Sequence, residues 1–200
     1  KKYDMVSDVK PGGTFLLDCA WSADELDAHL PAKVKAYIAA NNIKFYTIDG
    51  IKIGKETGMG NRINTVLQAA FFKLSDIIPI KDAVKYMKEA ATRSYSKKGE
   101  AIVKMNHDAI DAGVKGIVEV KVPASWKTAK DTKMGMGKVK AANKTLTNYV
   151  NNIQIPVNAQ QGDKLPVSTF KDMADGTFPQ GSAAFEKRGI AVNVPCWNPD

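Results

Sequence analysis

Lys44-Phe45-Tyr46-Thr47-Ile48-Asp49-Gly50 decides the fold of this 200-residue chain. Aromatic and β-branched residues over five positions suit a pleated, half-buried strand. Asp49 or Gly50 then opens a helix that Gly58 closes. On the N-terminal side, Thr14-Phe15-Leu16-Leu17 lies between Gly12-Gly13 and Asp18 and reads as a buried strand. Between the two strands, Ser22 and Glu25 have capping-box spacing, which predicts a helix from about Ala23. His29-Leu30-Pro31 interrupts it. Pro31 suits the first turn of a second helix, which runs through Val34, Tyr37 and Ile38 to Asn41-Asn42. Strand, helix, strand, helix is the order of a parallel α/β sheet with helices packed on it.

Downstream, the apolar period becomes helical. Asn61 to Leu74 places Ile63, Leu67, Ala70, Phe71 and Leu74 on one face. Pro79 to Tyr95 repeats the pattern with Ala83, Tyr86, Met87 and Ala90, and Lys97-Lys98-Gly99 breaks it. A third helix, Glu100 to about Lys115, carries Ile102, Asn106, Ala109, Ile110 and Gly113 on one stripe. Ile117 to Val122 alternates as a strand does, and Pro123 ends it. From Trp126 the periodicity fades, and proline, glycine and asparagine recur to the C-terminus. Residues 126–200 therefore read as an extended, irregular arm lying on another domain or subunit. Its apolar residues, among them Ile153, Ile155, Leu165, Phe170 and Phe178, are too many for a free linker.

Composition narrows the class. With 44% hydrophobic residues the chain can build a core. It has no run of about 18 apolar residues, so no membrane-spanning helix is expected. The N-terminus is not a signal peptide and lacks an initiator Met, which suggests a start inside a longer protein. Cys19 and Cys196 form no CxxC, and His29 and His107 are not spaced as metal ligands, so no metal site is expected. A reducing compartment follows by default. The net charge is +8. Lys127, Lys130, Lys133, Lys138, Lys140 and Lys144 face one acid, Asp131. Such a run suits a solvated segment or a basic module for nucleic acid or polyphosphate, and the lack of interleaved aromatics weakens the second.

Two amides stand out. Asn64 lies in Gly58-Met59-Gly60-Asn61-Arg62-Ile63-Asn64, where a glycine-broken turn runs into a helix. Asn106 has Ile102 four residues before it and Ile110 four after, so it belongs to an apolar stripe. A buried amide left unpaired costs roughly 1–3 kcal/mol. Each asparagine is therefore either satisfied by a neighbouring carbonyl or water, or kept for a polar ligand shared by the two helices. The Gly58–Gly60 turn lacks the last glycine of GxGxxG, and no Gly-Lys-Ser/Thr follows a strand, so neither phosphate-loop pattern is met. The exposed N–H groups of that helix start would still favour an anion, and Arg62 there makes more sense with one nearby. His29 with Asp27, and His107 with Asp108, read as surface pairs. No residue is expected to be catalytic.

The chain resembles pyruvate:ferredoxin (flavodoxin) oxidoreductases. The resemblance runs through Gly12 to Leu17, Glu25-Leu26, His29-Leu30-Pro31, Asn61 to Leu74, Asp82 to Tyr86, Ser94-Tyr95 with Lys97 to Glu100, and Val122 to Trp126. It continues through Pro156 to Gln160, Gly176 to Pro179 and Glu186 to Val192. It implies a three-layer α/β domain with a mainly parallel sheet, incomplete here. Residues 1–125 would be the second half of the γ-type, coenzyme A-handling domain. Residues 126–200 would be the arm leading to a ferredoxin-like domain. It also implies that Asn64 and Asn106 contact coenzyme A. The implied activity is oxidative decarboxylation of pyruvate, with thiamine diphosphate, Mg and [4Fe-4S] clusters held in other parts of the enzyme. The implied partners are the remaining domains, a second copy in a homodimer, and ferredoxin or flavodoxin, with neither nucleic acid nor membrane. The implied location is the cytoplasm, or a hydrogenosome-like organelle in an anaerobic protist. Cys196 falls ahead of the family's first cluster motif and is not carried over as a ligand, and the lysine tract is not part of the resemblance.

Overall fold

A computed structural model describes residues 4–130, 137–186 and 195–198. Met5–Thr132 form one compact unit, and Lys133–Asp200 with Lys1–Asp4 the other.

In the first unit, β1 (Thr14–Asp18) and β2 (Lys44–Ile48) pair in parallel, with Phe15 opposite Phe45. Their rings stack at 5.7 Å. β3 (Val118–Glu119) joins the other edge of β2 antiparallel. Only two residues of the expected 117–122 strand pair as a ladder, although the Val120 N–H still donates to Phe45 O at 2.9 Å. The sheet is thus small, mixed and mostly parallel.

Alternation along the strands feeds two cores. Phe15, Leu17 and Phe45 face one side, where Leu26, Ile38, Val120 and Trp126 pack. Leu16 and Ile48 face the other, with Val66, Ala70 and Ala109. The first side is covered by α1 (Leu26–His29) and α2 (Ala32–Ala40). α3 (Gly50–Glu56), α4 (Asn64–Ser75) and α6 (Glu100–Lys115) cover the second. α5 (Ile80–Tyr95) packs outside them, on Ala69 and Ile110 through Ala91, Val84 and Met87. This is the expected three-layer α/β arrangement.

Local chemistry explains the boundaries. Ser22 N–H and Oγ–H both donate to Glu25 Oε2 at 2.8 Å, so only the Glu25 half of the capping box forms: the Ser22 hydroxyl is a donor here and caps no backbone N–H, and regular helix begins only at Leu26. Asp49 caps α3 by accepting the Lys52 N–H at 2.9 Å. Asp18 Oδ1 accepts the Gly50 N–H at 2.8 Å, which ties the end of β1 to the start of α3. Trp126, placed by the sequence at the head of the arm, is 2% exposed and belongs to the first core. Its Nε1–H donates to Asp27 Oδ1 at 2.8 Å, and Lys35 Nζ reaches the same oxygen at 3.1 Å.

The second unit is more ordered than its composition suggests. Asn143 caps α7 (Lys144–Tyr149) by accepting the Leu146 N–H at 2.8 Å. The helix continues through a π-helical turn, Val150–Gln154, into α8 (Ile155–Asn158). Leu146, Val150 and Ile153 are buried along it. Short 3₁₀ turns at Gly162–Lys164, Val167–Met173 and Ser182–Phe185 follow. Of the lysine tract, Lys127, Lys130, Lys138, Lys140 and Lys144 are exposed. Lys133, Asp131 and most of the Glu186–Val192 block lie outside the described residues.

Candidate functional site

Glycine geometry sets the start of α4. Gly58 and Gly60 have φ of 81° and 62°, values that favour glycine in a turn. The Gly60 N–H donates to Gly54 O at 3.0 Å. A Cβ on Gly54 would come within 2.4 Å of Gly60 O, so the turn can close only over a glycine. A Cβ on Gly58 would meet Met105 Sδ at 2.7 Å, which presses the turn against the residue before Asn106. The tight-turn reading of these glycines is borne out. Regular helix starts at Asn64 rather than Asn61, and no side chain caps it.

α4 and α6 meet through small residues. A Cβ on Gly113 would lie 2.5 Å from Val66 O and 3.1 Å from Ala69 Cβ. α5 is fixed to α6 by polar bonds. His107 Nε2 sits 3.0 Å from both Lys88 O and Thr92 Oγ1 of α5. Lys88 Nζ pairs with Asp111 Oδ2 at 2.6 Å. His107 therefore bonds across helices instead of pairing with Asp108, which takes Lys104. His29 likewise stacks on Trp21 at 4.4 Å.

These three helices enclose a cleft of about 390 Å³. Asn64, Thr65, Gln68 and Phe72 line it from α4, Tyr86, Met87 and Ser94 from α5, and Asn106 and Ile110 from α6. The two asparagines picked out by the sequence thus line one cavity. Asn106 is 3% exposed, whereas Asn64 lies open to solvent. Asn106 Nδ2 donates to Ile102 O, one turn back, at 2.9 Å. The neighbouring-carbonyl reading therefore accounts for half of this amide and leaves Oδ1. Asn64 makes no side-chain hydrogen bond to the described residues.

Sequence reasoning missed Thr65, Gln68 and Tyr86 as cleft residues. Gln68 had a signal, standing four residues after Asn64 on the same face. Tyr86 is 56% exposed and Phe71 52%, so neither is the core residue its periodicity implied. The α4 stripe is rotated toward Val66, Ala69 and Ala70, all fully buried.

None of the described residues lining the cleft carries a formal charge. The site can hold a neutral, hydrogen-bonding ligand with apolar stretches. Elsewhere, burial is the main cause that pushes the Cys19 thiol upward, so it stays protonated at neutral pH. Among the described residues no group of three or more His, Cys, Asp or Glu could hold a metal ion. No described helix is long and apolar enough to cross a membrane.

Fold and cleft together define an α/β segment built from parallel strands and small-residue helix contacts, with one uncharged cleft between α4, α5 and α6. Residues 1–116 match the family described as pyruvate ferredoxin/flavodoxin oxidoreductase, and residues 137–191 match a domain of unknown function termed EKR. The pyruvate-flavodoxin oxidoreductase of Enterobacter agglomerans is 46% identical over 199 residues, which is 100% of this chain and 16% of that protein. The pyruvate:ferredoxin oxidoreductase of Moorella thermoacetica is 45% identical over 202 residues, again 100% of this chain and 16% of the relative. A pyruvate dehydrogenase [NADP(+)] of Cryptosporidium parvum is 38% identical over 97% of this chain and 11% of its own length. The chain belongs to the pyruvate ferredoxin/flavodoxin oxidoreductase family. It spans only a small part of these relatives' length.

Proposed function

We propose that this chain is the coenzyme A-handling segment of an enzyme that oxidatively decarboxylates pyruvate. Pyruvate and coenzyme A would become acetyl-coenzyme A and carbon dioxide, releasing one proton and two electrons to ferredoxin or flavodoxin. The observation that carries the reading is the convergence of Asn64 and Asn106, from two helices, on one uncharged cleft. An amide offers both a donor and an acceptor without adding charge, which suits a ligand rich in amides and hydroxyls.

The described residues do not fit thiamine diphosphate, Mg or a [4Fe-4S] cluster. No carboxylate or cysteine grouping for a metal is present among them, and Cys19 and Cys196 belong to different units. We assign those groups, together with the homodimer contact, to other parts of the enzyme. Residues 1–125 are read as the coenzyme A-handling part and 126–200 as the arm toward a ferredoxin-like domain. The cytoplasm is the proposed location.

Kinetics of Asn64→Ala and Asn106→Ala in a full-length enzyme test the reading. Each is expected to raise KM for coenzyme A by about 5- to 20-fold, the scale of one lost hydrogen bond in a partly buried site. First-turnover release of carbon dioxide from pyruvate should stay close to wild type. Unchanged KM for coenzyme A in both variants would refute the assignment.

A further inference from the structure

The second unit holds part of the lysine tract in a fixed frame. Residues 138–141 are tied to α7 and the π-helical turn by side chains of those elements. Asn151 grips Val139 with two bonds: Oδ1 accepts the Val139 N–H at 2.9 Å, and Nδ2 donates to Val139 O at 2.8 Å. One turn earlier, Thr147 Oγ1 accepts the Ala141 N–H at 3.0 Å and donates to Asn143 O at 2.8 Å. Exposure along this strap alternates as it does in a strand. Val139 and Ala141 are half-buried, whereas Lys138 and Lys140 are exposed. Lys144, also exposed, follows at the start of α7.

The charges themselves are unspent. In the first unit Lys35, Lys88 and Lys104 pair with Asp27, Asp111 and Asp108. No ion pair joins Lys138, Lys140 or Lys144 to any described residue. Amide and hydroxyl bonds order the strap, and the three cations face water.

The kind of partner follows from what accompanies the charge. A permanently docked domain would need an apolar centre to its interface, and the apolar residues of the strap turn inward. Single-stranded nucleic acid would stack on aromatic rings, and none stands between Lys127 and Lys144. Charge without an apolar centre suits a protein that arrives by its acidic face, binds weakly and leaves. The proposed reaction needs such a visitor, because its electrons depart on a separate protein.

We infer that Lys138, Lys140 and Lys144 form a docking strap for the acidic face of the electron-carrying protein. This rests on the oxidoreductase reading of the chain and is independent of the α4–α6 cleft.

The test uses a full-length enzyme carrying Lys138→Gln, Lys140→Gln and Lys144→Gln, with an acidic flavodoxin as the probe. At about 20 mM ionic strength the triple variant is expected to bind oxidised flavodoxin about 3- to 10-fold more weakly than wild type. The difference should shrink below about twofold at about 0.5 M salt. Charge reversal with Lys138→Glu and Lys140→Glu should enlarge the low-salt loss beyond about tenfold. Pyruvate oxidation coupled to a small dye should stay within about twofold in both, since a dye needs no docking face. Unchanged flavodoxin affinity in both variants, or a loss that persists at high salt, would overturn the inference. So would salt-dependent binding of a generic oligonucleotide that the triple variant abolishes while flavodoxin binding remains. A wild-type enzyme that binds flavodoxin through these lysines but does not reduce the dye with pyruvate would refute the oxidoreductase reading and leave the docking strap in place.

Discussion

Gly113→Ala sets local preference against packing at the contact that shapes the cleft. Gly113 lies in the last turns of α6. Helix propensity alone favours alanine there by about 1 kcal/mol. The new Cβ, however, would sit 2.5 Å from Val66 O, 3.0 Å from Val66 Cα and 3.1 Å from Ala69 Cβ. Two of those atoms are backbone of a packed helix and cannot rotate away, so α4 or α6 must shift. Overpacking of this kind costs about 1–3 kcal/mol. Packing is expected to win, with a net loss of up to about 2 kcal/mol and a melting temperature lowered by up to roughly 8 °C. Urea unfolding followed by helix signal measures it, with the midpoint moved and the slope unchanged. Because the shift separates α4 from α6, it also displaces Asn64 from Asn106, and coenzyme A affinity should fall with stability. A Gly113→Ala protein more stable than wild type would show that the α4–α6 contact yields freely, and the argument for a rigid cleft would fail with it.

The Asp27–Trp126 bond should show in acid. Hydrogen bonds from Lys35, first, and from Trp126 hold the Asp27 carboxyl below its ordinary range. A depressed folded value gives stability that is complete above the unfolded value of about 3.9 and is lost as pH falls through the lower folded one. Trp126→Phe should flatten that part of the acid-unfolding curve, while an unchanged curve would remove Asp27 from the account. The Lys88–Asp111 pair is about one-third exposed on the lysine side. Lys88→Met should therefore cost no more than about 1 kcal/mol at low salt and less at high salt, read from urea midpoints at two ionic strengths.

The strands and α3 to α6 were legible because their signals are local. β2 matches its predicted span, and β1 differs by one residue, Asp18. The faces of α4 were not legible. Counting large residues placed Phe71 inward, but the tight α4–α6 contact selects Ala69, Ala70 and Gly113, which carry little weight in a hydrophobic pattern. β3 shrank because alternation over 117–122 reports what could pair, whereas the ladder with β2 covers only two residues, with one further bond from the Val120 N–H to Phe45 O. The 144–158 helix went unread despite Asn143 at its cap and Leu146, Val150 and Ile153 in register. Pro156 and the density of asparagines argued for loop. The structure resolves the conflict by placing Pro156 after a π-helical turn, near the start of α8, where the missing N–H costs least.

The site was half legible for a related reason. Periodicity could put Asn106 on an inward stripe and Asn64 at a helix start, but it could not say that both reach one cavity. That depends on α5, whose position is fixed by His107 bonding Lys88 O and by the Lys88–Asp111 pair. Neither contact has a sequence signature, since each joins residues about twenty apart whose own neighbours offer nearer partners. The two readings of Asn106 were posed as rivals, structural or ligand-binding. In the folded chain the structural bond uses Nδ2, and a ligand contact would need only Oδ1. The bond from Nδ2 to Ile102 O meets part of the cost of burying the group and, by fixing its rotation, gives Oδ1 a direction. A structural hydrogen bond of this sort is therefore what would make the asparagine selective as a ligand contact.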